Sequence, residues 1–171
     1  EWVDVVQKGF ASDFNIVGLS GPAETKILPG FEVFYSTLWS RLYFYGAKIF
    51  FGTPVMWVAN MAIRAESWKK LDKKVETKDR LVNEDEDLSL LIAAEDGAIF
   101  VESRLLVRTS EQSYFYFPKY LEYFRRSHWT KLHHKHVGSY SHIRQIPFWQ
   151  RLIGVIVLLL PAFVFTLASI V

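Results

Sequence analysis

The spacing of apolar residues changes repeatedly along the first hundred positions, and each change predicts a new element. Near the start, apolar residues recur at helical spacing: Trp2, Val5, Val6 and Phe10. Residues 15–20 then form a short apolar run that ends at Gly21-Pro22. These features predict a helix, a strand and a turn, in that order.

A second, longer helix is predicted after Pro29-Gly30. Its apolar stripe recurs at helical spacing: Phe34, Leu38, Leu42, Tyr45 and Ile49. This aromatic-rich stripe suits a position on a membrane surface, and packing in a core explains it equally well. The glycine and proline of residues 52–54 end the helix.

The remaining pattern alternates between strands and helices. Residues 55–63 predict a strand, 65–71 a short helix and the charged stretch 69–80 a loop. Asn83 is placed to cap a helix that runs to Gly97. A further strand is predicted over 98–107. Alternation of helix and strand throughout is typical of an α/β domain.

The composition changes this picture in two ways. Of the 171 residues, 50% are hydrophobic and 16% aromatic, which is rich for a soluble domain and indicates that something besides water faces part of the chain. There is no cysteine, which excludes disulfides, thiolate metal sites and cysteine nucleophiles. The sequence begins with Glu1 rather than Met, and we interpret it as a piece of a longer protein.

The apolar excess is concentrated at the C-terminal end. Residues 152–171 carry no charge and match the ~20 residues that a helix needs to cross the hydrocarbon of a bilayer. We therefore predict a transmembrane helix over 148–171, with a buried core helix as the alternative. By the positive-inside rule, the preceding cations predict membrane localisation with the preceding domain on the cytoplasmic side: Lys131, Lys135, Arg144 and Arg151.

Four consecutive acids, Glu84, Asp85, Glu86 and Asp87, follow Asn83 in a chain whose formal net charge is +2. Acids in a first turn stabilise a helix by a few tenths to ~1 kcal/mol, which is one sufficient reason for them. Clustered carboxylates also suit Mg²⁺ or Mn²⁺, but consecutive helical residues point in different directions and cannot all ligate one ion. A general base needs only one carboxylate. The local sequence leaves these three interpretations open.

Three short motifs follow one another along the chain. They are the turn Gly21-Pro22, the segment 59–64 (Ala-Asn-Met-Ala-Ile-Arg) before a short helix, and the acidic segment 84–88 that opens the next helix. In this order they resemble the C-terminal half of a family 2 glycosyltransferase, an inverting, membrane-associated family with the GT-A fold. The resemblance covers about residues 1–110 and implies an α/β, Rossmann-like nucleotide-sugar transferase domain, followed by an amphipathic interfacial helix and a transmembrane helix.

The resemblance implies unequal roles for the four acids. Asp85 matches the family's catalytic base, which removes a proton from an acceptor hydroxyl as that oxygen attacks the anomeric carbon of a nucleotide-activated sugar. Glu84 matches its partner in the motif, and Asp87 matches a second acid that orients or caps. Glu86 is expected to be solvated. A competing register makes Glu86 and Asp87 the key pair, but the match of Asp87-Leu88 to the end of the motif favours Asp85.

The resemblance also places Asn60 and Arg64 on the acceptor side, with Gly21 and Pro22 in a supporting turn. Packing of the turn between strand and helix is the alternative role for Asn60 and Arg64. Two positions depart from the family pattern. The family usually has an arginine near Leu91-Ile92 and often a glycine at the position of Ala59.

The nucleotide-binding half of the family's domain has no counterpart in this sequence. In the family, an Asp-x-Asp motif that holds the metal and the diphosphate lies just upstream of the segment that corresponds to residues 1–13. The resemblance therefore implies a nucleotide-sugar donor and a divalent cation, Mg²⁺ or Mn²⁺, with metal ligands outside this chain and none within it. We expect the isolated chain to be inactive.

Residues 118–136 combine cations with aromatic side chains. Processive members of the family carry a Gln-x-x-Arg-Trp motif near here, of which this chain offers Arg125 or Arg126 and Trp129 as possible diphosphate contacts. The alternative is a basic amphipathic helix on anionic lipid headgroups, which explains the same residues without nucleic-acid binding. The 5 histidines, all in or just after this region, lack the spacing of a zinc set.

These observations divide the chain into an acceptor-side half of the catalytic domain over 1–117, a basic amphipathic juxtamembrane segment over 118–147 and the transmembrane helix over 148–171. The predicted function is an inverting glycosyltransferase at the cytoplasmic face of a membrane, with a lipid-linked or glycan acceptor and contacts to membrane lipids. The alternative is a membrane-anchored, non-catalytic scaffold or binding module that retains the fold.

Overall fold

The computed structural model describes residues 1–24, 32–108, 117–136, 147–150 and 152–157. Its helices are α1 (Trp2–Ser12), α2 (Glu32–Phe51), α3 (Ala65–Leu71), α4 (Glu84–Ala94) and α5 (Phe117–His136). Its strands are β1 (Ile16–Ser20), β2 (Ala23–Glu24), β3 (Met61–Ile63), β4 (Ala98–Val101) and β5 (Val107–Arg108). The chain is therefore a mixed α/β structure, as the alternating pattern predicts.

β1 lies at the centre of a three-stranded sheet with the order β3-β1-β4. It runs antiparallel to β3 and parallel to β4, and β2 and β5 form a separate parallel pair. Because β1 and β4 are parallel, their carboxyl ends meet at one edge of the sheet. α4 leads directly into β4 through a tight connection and packs back along it, so the first turn of α4 lies at that same edge.

Helices cover both faces of β1, because successive residues of a strand point to opposite sides. Leu19 is buried against α1, where a Cβ added to Gly9 would come within 2.9 Å of its side chain. Gly18 faces the other way: a Cβ there would lie 2.6 Å from Met56 Sδ and 3.5 Å from Ile92 of α4. The sheet is thus packed between α1 and α4, with an apolar cluster on each side.

The buried face of α2 differs from the stripe that the sequence emphasises. Leu38 and Tyr45 of that stripe are exposed. Phe50 and Phe51 instead pack against Leu90 of α4. The apolar residues of α2 are spread over more than one face, and contact with α4 selects the face that is buried.

The strand predicted over 55–63 is shorter than its apolar run, since only Met61–Ile63 pairs in the sheet. The N–H groups of Met56 and Trp57 donate to serine hydroxyls rather than to a neighbouring strand. A backbone whose donors are satisfied by side chains has no need of a strand partner there. This segment is therefore an ordered connection.

The strand predicted over 98–107 is divided into β4 and β5. The chain turns at Glu102, whose carboxylate accepts a hydrogen bond of 3.0 Å from the N–H of Arg104. The turn moves the chain from one sheet to the other. The loop predicted over 69–80 begins later than expected, because α3 continues to Leu71.

The described part of the chain contains no helix that is both long and apolar enough to cross a membrane. The prediction of a transmembrane helix over 148–171 is therefore wrong by this finding, and so is the membrane localisation with a cytoplasmic catalytic side that depended on it. Of that segment, 148–150 and 152–157 are helical, and 158–171 lie outside the described residues. One face of this segment packs on the protein: Val155 contacts the cluster of Phe51 and Leu90, and a Cβ added to Gly154 would lie 3.2 Å from the carbonyl of Gly46. Its other large apolar side chains are exposed: Phe148, Trp149, Leu152, Ile153 and Ile156.

Candidate active site

Asp85 lies in the first turn of α4, beside the carboxyl ends of β1 and β4. In open α/β sheets ligands bind at this edge, where loops and helix N-termini converge. Asp85 is partly exposed, and its hydrogen bond with Val58 lies at the protein surface. The start of α4 is therefore the candidate active site.

Two backbone N–H groups hold the Asp85 carboxylate. Val58 N–H donates to Oδ2 over 3.1 Å, and Glu86 N–H donates to Oδ1 over 2.9 Å. Each carboxylate oxygen has two lone pairs, so each keeps capacity for a further donor. The group is thus oriented by the protein and still able to accept a hydrogen bond from a hydroxyl.

Burial raises the pKa of the Asp85 carboxyl above its ordinary value. The hydrogen bonds from Val58 and Glu86 lower this pKa, and the neighbouring charge of Glu84 raises it, so that the net direction is upward. An ionised carboxylate with a raised pKa is a stronger base than a solvated aspartate. Such a shift is characteristic of general bases in active sites.

Glu84, the predicted partner of Asp85, is exposed. Its side chain is 59% accessible, and its Oε2 lies 3.9 Å from the guanidinium of Arg126 on α5. An ion pair with this exposure contributes less than ~1 kcal/mol. Glu84 therefore acts on Asp85 through its charge at the adjacent position.

Glu86 is buried, so the expectation that it is solvated is wrong. It lies between α4 and α5, where Asn83 Nδ2 donates to its Oε2 over 2.8 Å and Ser127 Oγ is 2.5 Å from its Oε1. Burial and then the charge of Asp85 raise the pKa of Glu86 to about 8, against the hydrogen bonds that lower it. Ser127 Oγ is also 3.0 Å from the carbonyl of Tyr123. A protonated Glu86 satisfies this geometry, because it donates to Ser127 and leaves the serine hydrogen for Tyr123.

Asp87 is also buried, and it joins three parts of the protein. Its Oδ1 lies 2.6 Å from Nε2 of His134 on α5, and its Oδ2 accepts the N–H of Glu76 over 2.8 Å. Both oxygens thus tie the start of α4 to α5 and to the loop before α4. These are the contacts of an orienting residue, and they leave Asp87 on the opposite side of the turn from the Val58 contact of Asp85.

Asn60 is buried and engaged by the protein. Its Oδ1 accepts the indole N–H of Trp2 over 2.9 Å, and its Nδ2 donates to the carbonyls of Pro22 and Leu105. Gly21 permits this close packing, because a Cβ there would lie 2.1 Å from the carbonyl of Leu105. The contacts favour the packing role that the sequence left open for Asn60 over direct contact with an acceptor.

Arg64 joins the end of α1 to β1. Its guanidinium donates to the carbonyls of Ile16, Phe10 and Asp13 over 2.6, 2.5 and 3.0 Å, and lies 4.8 Å from the centre of the Phe10 ring. The last carbonyls of a helix have no intrahelical partner, and a cation there satisfies them. These contacts favour the packing role that the sequence left open for Arg64.

α5 brings Arg126 and Trp129 to the loop that precedes α4. Arg126 donates to the carbonyl of Val82 over 3.0 Å, and the indole N–H of Trp129 donates to the carboxylate of Asp79 over 2.9 Å. Arg125 is exposed. These contacts place the Arg and Trp of the predicted motif near the site, and the contact of either residue with a diphosphate stays a prediction.

The described residues include no group of three His, Asp or Glu side chains that could hold a metal ion. At this site the Asp85 carboxylate is accompanied by N–H donors from Val58 and Glu86. Binding of Mg²⁺ or Mn²⁺ by ligands outside this chain therefore stays a prediction.

Three buried residues of this site were not identified from the sequence. They are Ser20, Ser89 and His134. A single serine in a strand or helix has no local pattern that marks a contact with a distant segment, and His134 was only one of several histidines in a basic stretch. Their partners lie 37, 33 and 47 positions away in the chain.

Comparison of the chain with known proteins gives no match among protein-family models, curated proteins or solved structures.

Proposed function

We propose that this chain is the acceptor-side half of an inverting glycosyltransferase with the GT-A fold, in which Asp85 is the general base. The enzyme transfers a sugar from a nucleotide-sugar donor to a glycan or lipid-linked acceptor. The observation that carries the proposal is the setting of Asp85: a partly exposed carboxylate at the carboxyl edge of the parallel strands, oriented by two N–H groups, with a raised pKa.

In this mechanism an acceptor hydroxyl donates a hydrogen bond to a free lone pair of Asp85. As the hydroxyl oxygen forms its bond to the anomeric carbon, its proton passes to Asp85. The bond from that carbon to the nucleotide diphosphate breaks on the opposite face, which inverts the configuration and releases the diphosphate with the bonding electrons. The N–H groups of Val58 and Glu86 hold the carboxylate throughout.

The neighbouring acids support this assignment by their different surroundings. Glu86 and Asp87 are buried and use their oxygens on Ser127 and His134 of α5. A buried carboxyl group in that position is not accessible to an acceptor. Glu84 is open to solvent, and its charge favours proton uptake by Asp85. Donor diphosphate and any Mg²⁺ or Mn²⁺ belong, in this proposal, to the donor-binding half outside this chain.

A non-catalytic binding module with this fold is the second candidate. It is favoured by the side chains of Asn60, Arg64 and Asp87, all of which make hydrogen bonds within the protein. A structural module of this kind does not need an accessible acid with a raised pKa. Asp85 therefore separates the two candidates.

The test measures donor-dependent sugar transfer by the complete protein that contains this chain. Asp85→Asn should lower transfer by about 100-fold or more, because general-base catalysis contributes roughly 10²- to 10⁴-fold. Donor binding, measured by calorimetry, should not change. Glu84→Gln is the matched control at the adjacent position, and it should lower transfer by less than ~10-fold because its charge is exposed.

Full transfer by Asp85→Asn would remove Asp85 from the mechanism. Absence of transfer by the complete wild-type protein with every nucleotide sugar, together with preserved acceptor or donor binding, would favour the binding module. The isolated 171 residues are expected to show no donor-dependent transfer.

A further inference from the structure

The connection between α2 and β3 contains a segment, residues 56–60, that faces Asp85. Three consecutive N–H groups of this segment donate to side chains of other elements: Met56 to Ser89 Oγ (2.8 Å), Trp57 to Ser20 Oγ (3.0 Å) and Val58 to Asp85 Oδ2 (3.1 Å). Ser20 and Ser89 are both fully buried. Val58 N–H, which donates to Asp85, is therefore preceded by two N–H groups that donate to serine hydroxyls.

Each serine also donates its one hydrogen. Ser89 Oγ donates to the carbonyl of Asp85 over 2.6 Å, and Ser20 Oγ donates to the carbonyl of Asn60 over 2.8 Å. Each hydroxyl accepts one bond and donates one, which fixes its orientation. The segment 56–60 is thereby tied to α4 through Ser89 and to the carboxyl end of β1 through Ser20.

These anchors matter because the tip of the segment has little packing of its own. Val58 is 51% exposed, so burial contributes little to holding its peptide in place. The hydrogen bond from Val58 N–H favours the ionised form of Asp85 and fixes one of its oxygens. If the peptide moved by an ångström, this bond would be lost.

We infer that Ser20 and Ser89 are positioning residues, which hold the segment 56–60 so that Val58 N–H reaches Asp85 and fixes its carboxylate. The catalytic meaning of this arrangement depends on the proposed function. The hydrogen bond itself is measurable without turnover, so the two can fail separately.

The first experiment uses the wild-type chain and NMR. The ¹³C signal of the Asp85 carboxyl and the amide signal of Val58 are followed against pH. Both signals should change with the same midpoint pH, and Asp85→Asn should abolish the pH-dependent change of the Val58 amide signal. A Val58 amide that does not respond to the ionisation of Asp85 overturns the inference, and this result requires no serine variant to fold.

The second experiment compares serine variants by the same titration. Ser89→Ala and Ser20→Ala should each shift the midpoint pH of Asp85 upward. In each variant the Val58 N–H, which donates to the ionised form of Asp85, is displaced. Ser40→Ala is the matched control, since its buried hydroxyl bonds to the backbone of Ala23 instead. It should leave the midpoint unchanged.

A role in stability alone predicts a different pattern. All three serine variants would then be destabilised to a similar extent, and the Asp85 midpoint would stay at its wild-type value. That result, obtained with variants whose amide spectra show an intact fold, would also overturn the inference.

Transfer by the complete enzyme separates this inference from the proposed function. If both are correct, Ser89→Ala moves the rising limb of the pH profile upward together with the NMR midpoint of Asp85. If Asp85→Asn keeps full transfer while wild-type Val58 still follows the ionisation of Asp85, the proposed function fails and the positioning role stands. If Asp85→Asn loses transfer but the wild-type Val58 amide does not respond to the ionisation of Asp85, the positioning role fails and the proposed function stands.

Discussion

The first turn of α4 has two sides with different surroundings. On one side Asp85 meets the segment 56–60, receives backbone N–H groups and stays partly exposed. On the other side Glu86 and Asp87 meet α5 and are buried against side chains of Ser127 and His134. Acids that are adjacent in the sequence therefore lie in an open site on one side and in a closed interface on the other.

The difference follows from helix geometry and from what packs on each face. Consecutive residues of a helix point in different directions, so a run of acids cannot share one environment. An acid that faces another helix must be paired or protonated, because an isolated buried charge is costly. An acid that faces an edge of the sheet can keep lone pairs free to bind a ligand. We expect the closed side to control stability and the open side to control chemistry.

The largest expected effect is on the closed side. Asp87→Ala should lower the free energy of unfolding by about 3–5 kcal/mol, because it leaves the buried His134 ring and the partly buried N–H of Glu76 without their partner. Urea denaturation measures this loss. Glu84→Ala, in the same turn but exposed, is the control and should cost less than about 1 kcal/mol. Equal losses in the two variants would mean that burial does not distinguish the sides.

The next effect is a pH dependence that originates at Glu86. Its pKa is raised from 4.5 to about 8 in the folded protein, so the folded state binds more protons than the unfolded state across this window. The free energy of unfolding should therefore fall as pH rises from about 4.5 to 8. Denaturation at several pH values should show a flatter decline in Glu86→Gln than in the wild type.

The control for this pH dependence is Glu66→Gln, which changes an exposed acid in the first turn of α3. It should keep the wild-type decline. Some decline should also remain in Glu86→Gln, because the raised pKa of Asp85 acts with the same sign. A wild-type protein whose stability rises over this pH range would contradict the assignment of a protonated Glu86.

The smallest expected effect on stability is on the open side. Asp85→Asn should change the free energy of unfolding by no more than about 1 kcal/mol, since the amide loses one hydrogen bond to a backbone N–H but also removes a partly desolvated charge. Thermal or urea denaturation checks this value. A loss as large as that of Asp87→Ala would show that Asp85 is a structural acid and would weaken the proposed function.

Much of the local structure was predictable because short-range patterns determine it. The apolar spacing around α1, the run that becomes β1 and the acidic start of α4 all lie where the sequence indicates. The predictions failed where a distant element decides the outcome. Glu86 was expected in solvent because nothing near it in the sequence shows that α5 covers it.

The apolar run at the C-terminal end illustrates the same limit. High hydropathy means that a segment is poorly soluble in water. Burial in a membrane and burial in a protein core remove it from water equally well. In the described part of that run, Gly154 and Val155 lie against α2 and its cluster. A contact with α2, more than a hundred positions earlier in the chain, is not encoded in the composition of the run.

The sequence by itself determined the α/β alternation and the position of an acidic turn at the start of a helix, because both depend on residues within one or two turns of each other. Only the tertiary structure decided which acid is open. The segment 56–60 donates a backbone N–H to Asp85, whereas Ser127 and His134 of α5 cover Glu86 and Asp87. Burial and hydrogen bonding, rather than residue type, then determine which of four similar acids can act as a base.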